Sequence, residues 1–278
     1  MDKGETIKIA KQAGIPTPKT WFPENESTED IRNQVNYPIL IRPRKSSGSR
    51  GIKFVNSQSE FDEKYNEVLK QYGTPIVQEY IEKTGYTTAC LLFSRDNQVV
   101  GEFSYERVKE YPLSGGPTVV GISTNDEEAK SYAKTLLGQL DWTGPAEVEF
   151  ILDQNGTPKL LEVNPRFWMP LQLAISAGVD FPNLIAKLAS DNDLNPVSKY
   201  ELRIKYRWVL PNEILWALNS QSFLQSFHDL LQFNSESECY GSLSKRDPEP
   251  ALGTLAQSLR FVTDPEKRQM IFQRGWHS

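Results

Sequence analysis

The sequence is poor in the side chains that build metal clusters and cross-links. Among 278 residues it has two cysteines, Cys90 and Cys239, and two histidines, His228 and His277. The cysteines form no CxxC and have no histidine at ligand spacing, which argues against a disulfide framework and against a zinc site. Both read as buried thiols. Positive charge is not in excess either: 31 Lys+Arg face 36 Asp+Glu, a net charge of -5, whereas phosphate-backbone binding needs a basic footprint. Nucleic acid is therefore not an expected partner. No apolar run approaches the roughly 20 residues of a spanning helix, and Met1-Asp2-Lys3-Gly4-Glu5 lacks the apolar stretch of a signal peptide. The expectation is a soluble cytoplasmic protein without a membrane partner.

What is present is an ordinary globular composition, 38% hydrophobic and 24% charged, with alternating element signals. Helical spacing over 5–13 stops at Gly14, with Pro16 and Pro18 beyond. Residues 37–42 and 51–55 read as strands around a Ser/Gly-rich loop, and 60–72 as a helix before a strand at 76–81. Strands follow at 87–93 and 99–108, then a Pro/Gly loop at 111–117. A helix from Asn125 or Asp126 to Leu140 precedes a hairpin, 146–152 and 158–163, around Asn155-Gly156. Helical patterns cover 171–189, 223–231, 252–261 and 266–272, with a strand at 203–210. Antiparallel hairpins flanked by helices point to an α+β fold.

The hairpin carries its own chemistry. Side chains alternate along a strand, so Glu147, Glu149 and Ile151 share one face, as do Leu160, Glu162 and Asn164. A two-residue turn at Asn155-Gly156 sets Glu149 opposite Glu162 and Glu147 opposite Asn164. Paired carboxylates in direct register repel unless a proton or a cation intervenes. Two carboxylates and an amide form an oxygen-only donor set suited to Mg²⁺ or Mn²⁺, with nucleotide phosphates completing the shell. A solvated hairpin face is the competing reading. Ser46, Ser47, Gly48, Ser49 and Gly51 form a loop whose backbone N–H groups can cradle an anion, with Arg42, Arg44, Lys45 and Arg50 around it. It lacks the Gly-Lys-Ser/Thr ending of a Walker motif, and a flexible surface hairpin is its bland alternative. Arg107 precedes Gly115-Gly116, a turn able to hold an anionic phosphate or carboxylate. The tryptophans, Trp168 among them, read as core or interface aromatics.

Over about residues 1–189 these motifs together resemble the ATP-grasp superfamily, in its carboxylate–amine ligase-like group near the ATP-binding domains of the carbamoyl-phosphate synthase large chain. The carriers are Asp2-Lys3 with Ala13-Gly14-Ile15-Pro16, Tyr37-Pro38 through Arg42-Pro43-Arg44, Gln78-Glu79-Tyr80-Ile81, and Glu149 with Glu162-Val163-Asn164-Pro165-Arg166. The resemblance implies two α+β subdomains clamping ATP between antiparallel sheets. Residues 1–84 would be the lid subdomain, 85–194 the metal-bearing subdomain and 195–278 a mostly helical extension. It implies Glu149, Glu162 and Asn164 as Mg²⁺ ligands, and Arg166 at the transferred phosphoryl group. Gln78, Glu79, Tyr80 and Ile81 would form the adenine hinge, with Lys3 and the serine loop at the phosphates. Arg42 and Arg107 would join Arg166 in neutralising charge.

Three departures stand out. Arg42 replaces the family's usual lysine. Gly85 stands where an acidic residue usually meets the ribose, with Glu82 nearby. The Asp-Lys position, preceded in relatives by a Rossmann-like domain, falls at the start of this chain, so the expectation is that the chain is a fragment, that a separate polypeptide completes the substrate cleft, or that the region after Asn195 does; a homo-oligomer is the other partner expected. The resemblance implies an ADP-forming ligase: a small-molecule carboxylate becomes an acyl phosphate, and an amine displaces phosphate. An ATP-binding regulatory or scaffold subunit, or an ATP-grasp kinase, is the alternative.

Overall fold

The computed structural model describes residues 1–46, 50–113, 115–190, 195–220, 222–232, 237–244 and 247–263. Ser47, Gly48, Ser49, Ser114 and the helix expected at 266–272 lie outside the described residues. In chain order the elements are α1 (Lys3–Gln12), β1 (Thr20–Trp21), α2 (Thr28–Gln34), β2 (Ile39–Arg42), β3 (Lys53–Val55), α3 (Gln58–Tyr72), β4 (Ile76–Glu79) and β5 (Gly85–Phe93). Then come β6 (Val99–Glu110), β7 (Thr118–Thr124), α4 (Glu127–Gln139), β8 (Gly144–Leu152), β9 (Pro158–Asn164), α5 (Leu171–Ala177) and α6 (Phe181–Ala189). The remainder holds β10 (Lys205–Arg207), α7 (Ile214–Asn219), α8 (Phe223–Leu231), β11 (Glu238–Tyr240) and α9 (Glu249–Thr263). The mixture is α+β, as the hairpin-and-helix pattern predicts.

The chain divides into two compact units that interleave along the sequence. Among the described residues the first takes Met1–Val99 and Glu127–Arg166, the second Val100–Asp126 and those from Phe167 to Thr263. In the first, β1-β4-β2-β3 form one sheet. Its Trp21, Ile39, Ile41, Val55 and Val77 pack on Ile31 of α2 and on Phe61, Tyr65 and Val68 of α3. Alternation sends Arg42 and Gln78 to the opposite face.

The same unit holds β5 and β9 on either side of β8, all antiparallel. Ala89, Leu91 and Phe93 join Ala146, Val148 and Phe150 in a core with Ala10 of α1 and Ala133, Leu136 and Leu137 of α4. Because one face is committed to that core, Glu147 and Glu149 must occupy the other.

The hairpin differs from expectation in an instructive way. Leu152 pairs with Pro158, Ile151 with Lys159 and Phe150 with Leu160, yet Glu149 pairs with Glu162 and Glu147 with Asn164. The connection is residues 153–157, organised by Asp153, whose Oδ1 accepts from the amides of Asn155 (2.9 Å) and Thr157 (3.0 Å). A two-residue turn is thus incorrect. A bulge between the two sets of pairs then shifts the register by one residue and restores the Glu149–Glu162 pairing. The bulge also puts Leu160 and Val163 together in the core, so Leu160 does not share a face with Glu162.

In the second unit, β7 pairs antiparallel with β6 and β10, and β10 runs parallel to β11. The strand expected at 203–210 shortens to Lys205–Arg207 because Val209–Glu213 coils into a wide turn. That turn returns Glu213 Oε2 to 2.9 Å from Arg207 Nε.

Both cysteines are free and buried, as the sequence implies. Burial pushes the Cys239 thiol up to about 11. Cys90 is pushed well above its ordinary value by burial first, then by the charges of Glu147 and Glu149. At pH 8 a thiol with a pKa of about 11 is only ~0.1% thiolate. Ellman's reagent at pH 8 should therefore label neither cysteine in the native protein within minutes and both in denaturant; prompt labelling of the folded chain contradicts this packing.

Candidate nucleotide and metal site

Asn164 is the centre of the acidic face. Its Nδ2 lies 3.2 Å from Glu147 Oε2, 3.0 Å from Glu149 Oε1 and 3.2 Å from Glu162 Oε1. An amide has two N–H groups, so three carboxylates compete for them. Glu149 is buried, and the Glu162 side chain is 28% exposed. Thr88 pairs with Glu149 across β5 and β8, and its buried Oγ1 has no protein partner.

Cations surround this face. The α1 N-terminus is fixed by Asp2, whose Oδ1 accepts from the amides of Gly4 (2.9 Å) and Glu5 (3.2 Å). This is ordinary side-chain capping. It delivers Lys3, whose Nζ donates to the Ser46 carbonyl at 2.7 Å and lies 3.7 Å from Glu162 Oε2. Burial lowers the Lys3 pKa, Arg42 adds to the effect and Glu162 opposes it. Arg42 is 3% exposed. Its Nη1 donates to Gln78 Oε1 at 2.6 Å, and its buried Nε has no protein acceptor. Burial lowers its pKa, opposed by Glu162 and Glu149, and a guanidinium stays charged regardless. Arg166 Nη1 approaches Glu147 Oε2 at 3.4 Å. Lys3, Ser46, Glu162, Asn164 and Arg166 line a cavity of about 250 Å³.

Other expected residues sit differently. Arg44 is engaged by carboxylates: Asp2 at 2.9 Å, Glu5 at 2.8 Å and Glu24 at 2.8 Å. It locks α1 to the end of β2 and is not available to an anion. Gln78 is fully buried between Arg42 and Thr20 Oγ1 (3.0 Å), so its side chain supports Arg42. The Glu79 amide donates to the Lys19 carbonyl at 2.9 Å. Tyr80 is exposed, and both it and Ile81 follow the end of β4. Gly51 has φ +76°, and a Cβ there would overlap the Tyr72 ring, so the loop needs glycine at its exit. Arg107 belongs to the second unit, where its Nη1 meets Glu110 Oε2 at 3.2 Å and the Gly116 carbonyl at 3.4 Å. A wider groove of about 1130 Å³ in that unit is lined by Glu106, Arg203, Lys205 and Glu238, and by none of the expected residues.

The donor set fits a hard divalent cation. Among the described residues no three His, Cys, Asp or Glu side chains converge as a cage able to hold a metal alone. The candidate set is two carboxylates and an amide oxygen, reached by a 180° rotation of the Asn164 amide, whose O and N assignment is interchangeable. That is the incomplete protein shell Mg²⁺ takes when phosphates and water supply the rest. Sequence reasoning places Glu147 on this face without giving it a role, and misses Thr88 because the β5–β8 register leaves no local sequence signal.

Residues 1–170 match the ATP-grasp domain. Over 209 residues the chain is 31% identical to the vancomycin/teicoplanin A-type resistance protein VanA of Enterococcus faecium, covering 68% of this chain and 60% of that protein. It is 27% identical over 208 residues to D-alanine–D-alanine ligase of Burkholderia pseudomallei, covering 68% and 66%. The chain thus spans a little under two thirds of these relatives. In fold it resembles the biotin carboxylase of Campylobacter jejuni solved with β,γ-ATP, at a TM-score of 0.63 and 16% identity, covering 73% of this chain and 49% of that one. Domain match, sequence identity and fold point the same way: the chain belongs to the ATP-grasp family.

Proposed function

We propose that the protein is an ATP- and Mg²⁺-dependent ligase that activates a small-molecule carboxylate for attack by an amine. The observation that carries this reading is the convergence of Glu149, Glu162 and Asn164 with Lys3, buried Arg42 and Arg166 in one unit. Three carboxylates, counting Glu147, face these three cations. An entering triphosphate of about four negative charges is therefore uncompensated by the protein alone. Bound Mg²⁺ supplies that compensation as a Lewis acid on the phosphoryl oxygens. Glu149, Glu162 and Asn164 would hold it.

The chain's own work is placement and charge neutralisation. Arg42, anchored by Gln78, and Lys3, anchored by the Ser46 carbonyl, face the phosphates, and Arg166 meets the transferred group. A substrate carboxylate oxygen attacks the γ-phosphorus and ADP leaves. The amine nitrogen then attacks the acyl carbon, phosphate leaves and the nitrogen gives up a proton. Relatives named as ligases of D-alanine with D-alanine support a carboxylate–amine pair of this kind. We take 1–84 as the lid, 85–194 as the metal-bearing subdomain and 195–278 as the extension, with Tyr80 and Ile81 at the adenine and Arg107 at the second substrate. The cytoplasm is the compartment this ATP use implies.

The test is a coupled assay for ADP and phosphate with carboxylates and amines supplied singly and together. The ligase reading expects ADP and phosphate in equal amounts only when both substrates are present. ADP with a stable phosphorylated product indicates a kinase. Nucleotide binding without ADP formation across the screen indicates a regulatory subunit.

A further inference from the structure

Glu147 is the deepest of the three carboxylates, 3% exposed, and the proposed ligase reading gives it no part. Its position follows from alternation: it lies two residues before Glu149 on β8, on the same face, opposite Asn164 in β9 and Cys90 in β5. A carboxylate buried at this depth needs charge or hydrogen-bond partners. Its Oε2 is the point where two of them meet, Asn164 Nδ2 at 3.2 Å and Arg166 Nη1 at 3.4 Å.

Arg166 presents the opposite case. Its side chain is 57% exposed, and it follows Pro165 just past the end of β9, where its amide donates to the Asn164 carbonyl at 2.9 Å. An exposed arginine has many rotamers and loses much entropy when it must hold one. A charge-assisted contact at one end of the fork narrows that choice and leaves the guanidinium plane oriented. Glu147 is built into a strand whose other face is core, so it is a rigid anchor for a mobile cation.

We propose that Glu147 is a positioning residue: it aims Arg166 and is not itself a metal ligand. This rests on the ligase reading for what Arg166 does once aimed. Glu149 and Glu162 answer to the metal; Glu147 answers to Arg166. The two roles separate experimentally, because a metal ligand is felt in Mg·ADP binding and an aimed Arg166 in phosphoryl transfer.

The test uses the full chain with Glu147→Gln, which keeps shape and a hydrogen-bond acceptor, Glu147→Asp, which keeps charge but retracts it, and Arg166→Gln. Expected are a fall in kcat for phosphate release of about tenfold or more in Glu147→Gln, a smaller fall in Glu147→Asp, and an Mg·ADP Kd within about twofold of wild type in both. Adding Glu147→Gln to Arg166→Gln should cost no more than about twofold further, since the two act as a unit. Multiplying losses in the double variant, or Mg·ADP binding weakened fivefold or more, overturns the proposal. A second readout does not depend on turnover: the Arg166 Nε–Hε NMR signal, assigned by its loss in Arg166→Gln, should shift and exchange faster in Glu147→Gln. An unchanged signal overturns the tether even if activity falls. A wild-type chain that neither binds Mg·ADP nor releases phosphate, but whose Arg166 signal responds to Glu147→Gln, supports the tether and refutes the ligase reading.

Discussion

Glu162→Gln should abolish the Mg²⁺-dependent part of the thermal stabilisation that ATP gives the wild-type protein. A ligand at about 100 times its Kd stabilises the folded state by roughly 2.7 kcal/mol. For a chain of this size that is a rise in melting temperature of roughly 5–10 °C. Glu162 stands opposite Glu149 and shares the Asn164 amide, so losing its charge removes one of the two carboxylates proposed to hold the metal. Without nucleotide the same variant should melt within a few degrees of wild type. Losing one of three neighbouring negative charges relieves repulsion. The lost Lys3 contact is 3.7 Å long, and a partly exposed pair at that distance is worth about 1 kcal/mol at most. Differential scanning fluorimetry with ATP, with and without Mg²⁺, on both proteins makes the measurement. A Mg²⁺-dependent shift that persists in Glu162→Gln removes Glu162 from the metal site. A variant that already melts ten degrees early without nucleotide makes Glu162 a structural residue.

Much of the candidate site's geometry was legible in the sequence because most of its residues are local. Glu149, Glu162 and Asn164 sit on one hairpin, and Lys3 sits beside a capping Asp2. The hairpin also shows how a correct inference can rest on a wrong step. The two-residue turn does not form, since Asp153 binds the amides of Asn155 and Thr157 and lengthens the connection. A bulge of one residue cancels the error, and only the core reveals it, by claiming both Leu160 and Val163. Long-range pairings were invisible for a different reason. Arg44 reads from sequence as one more cation near the serine loop, yet three acids from other segments claim it. Thr88 and Cys90 reach the acidic face only through the β5–β8 register.

The second unit was the less legible one. β7 (Thr118–Thr124) follows a Pro/Gly loop directly and carries Gly121 inside, both of which weaken a strand signal. β11 has three residues, too few for alternation to show. The feature that organises this region is a buried arginine, and charge in a sequence is ordinarily read as surface.

Arg207 is 0% exposed, and replacing it with methionine should cost at least about 3 kcal/mol. Its Nε pairs with Glu213 Oε2 at 2.9 Å and its Nη1 lies 3.6 Å from Glu238 Oε2. Its Nη2 donates to the Leu230 carbonyl at 2.9 Å, and Nη1 to that of Gln232. These carbonyls lie at the C-terminal end of α8, where unsatisfied acceptors and the helix dipole both favour a cation. Removing one partner from a buried ion pair typically costs ~3–5 kcal/mol, because the other charge stays buried. Here that charge is Glu213, 1% exposed, with Lys109 at 3.6 Å as its other cation. The opposing effect, better apolar packing by methionine, acts only when both charges go. Arg207→Met with Glu213→Leu should therefore regain a large part of the loss, a coupling that single substitutions cannot mimic. Urea unfolding followed by tryptophan fluorescence and by circular dichroism reads both the midpoint and whether one transition or two is present. If Arg207→Met loses less than about 1 kcal/mol, or the double variant is weaker than the single one, the network around Arg207 does not hold α8 and β11 in place.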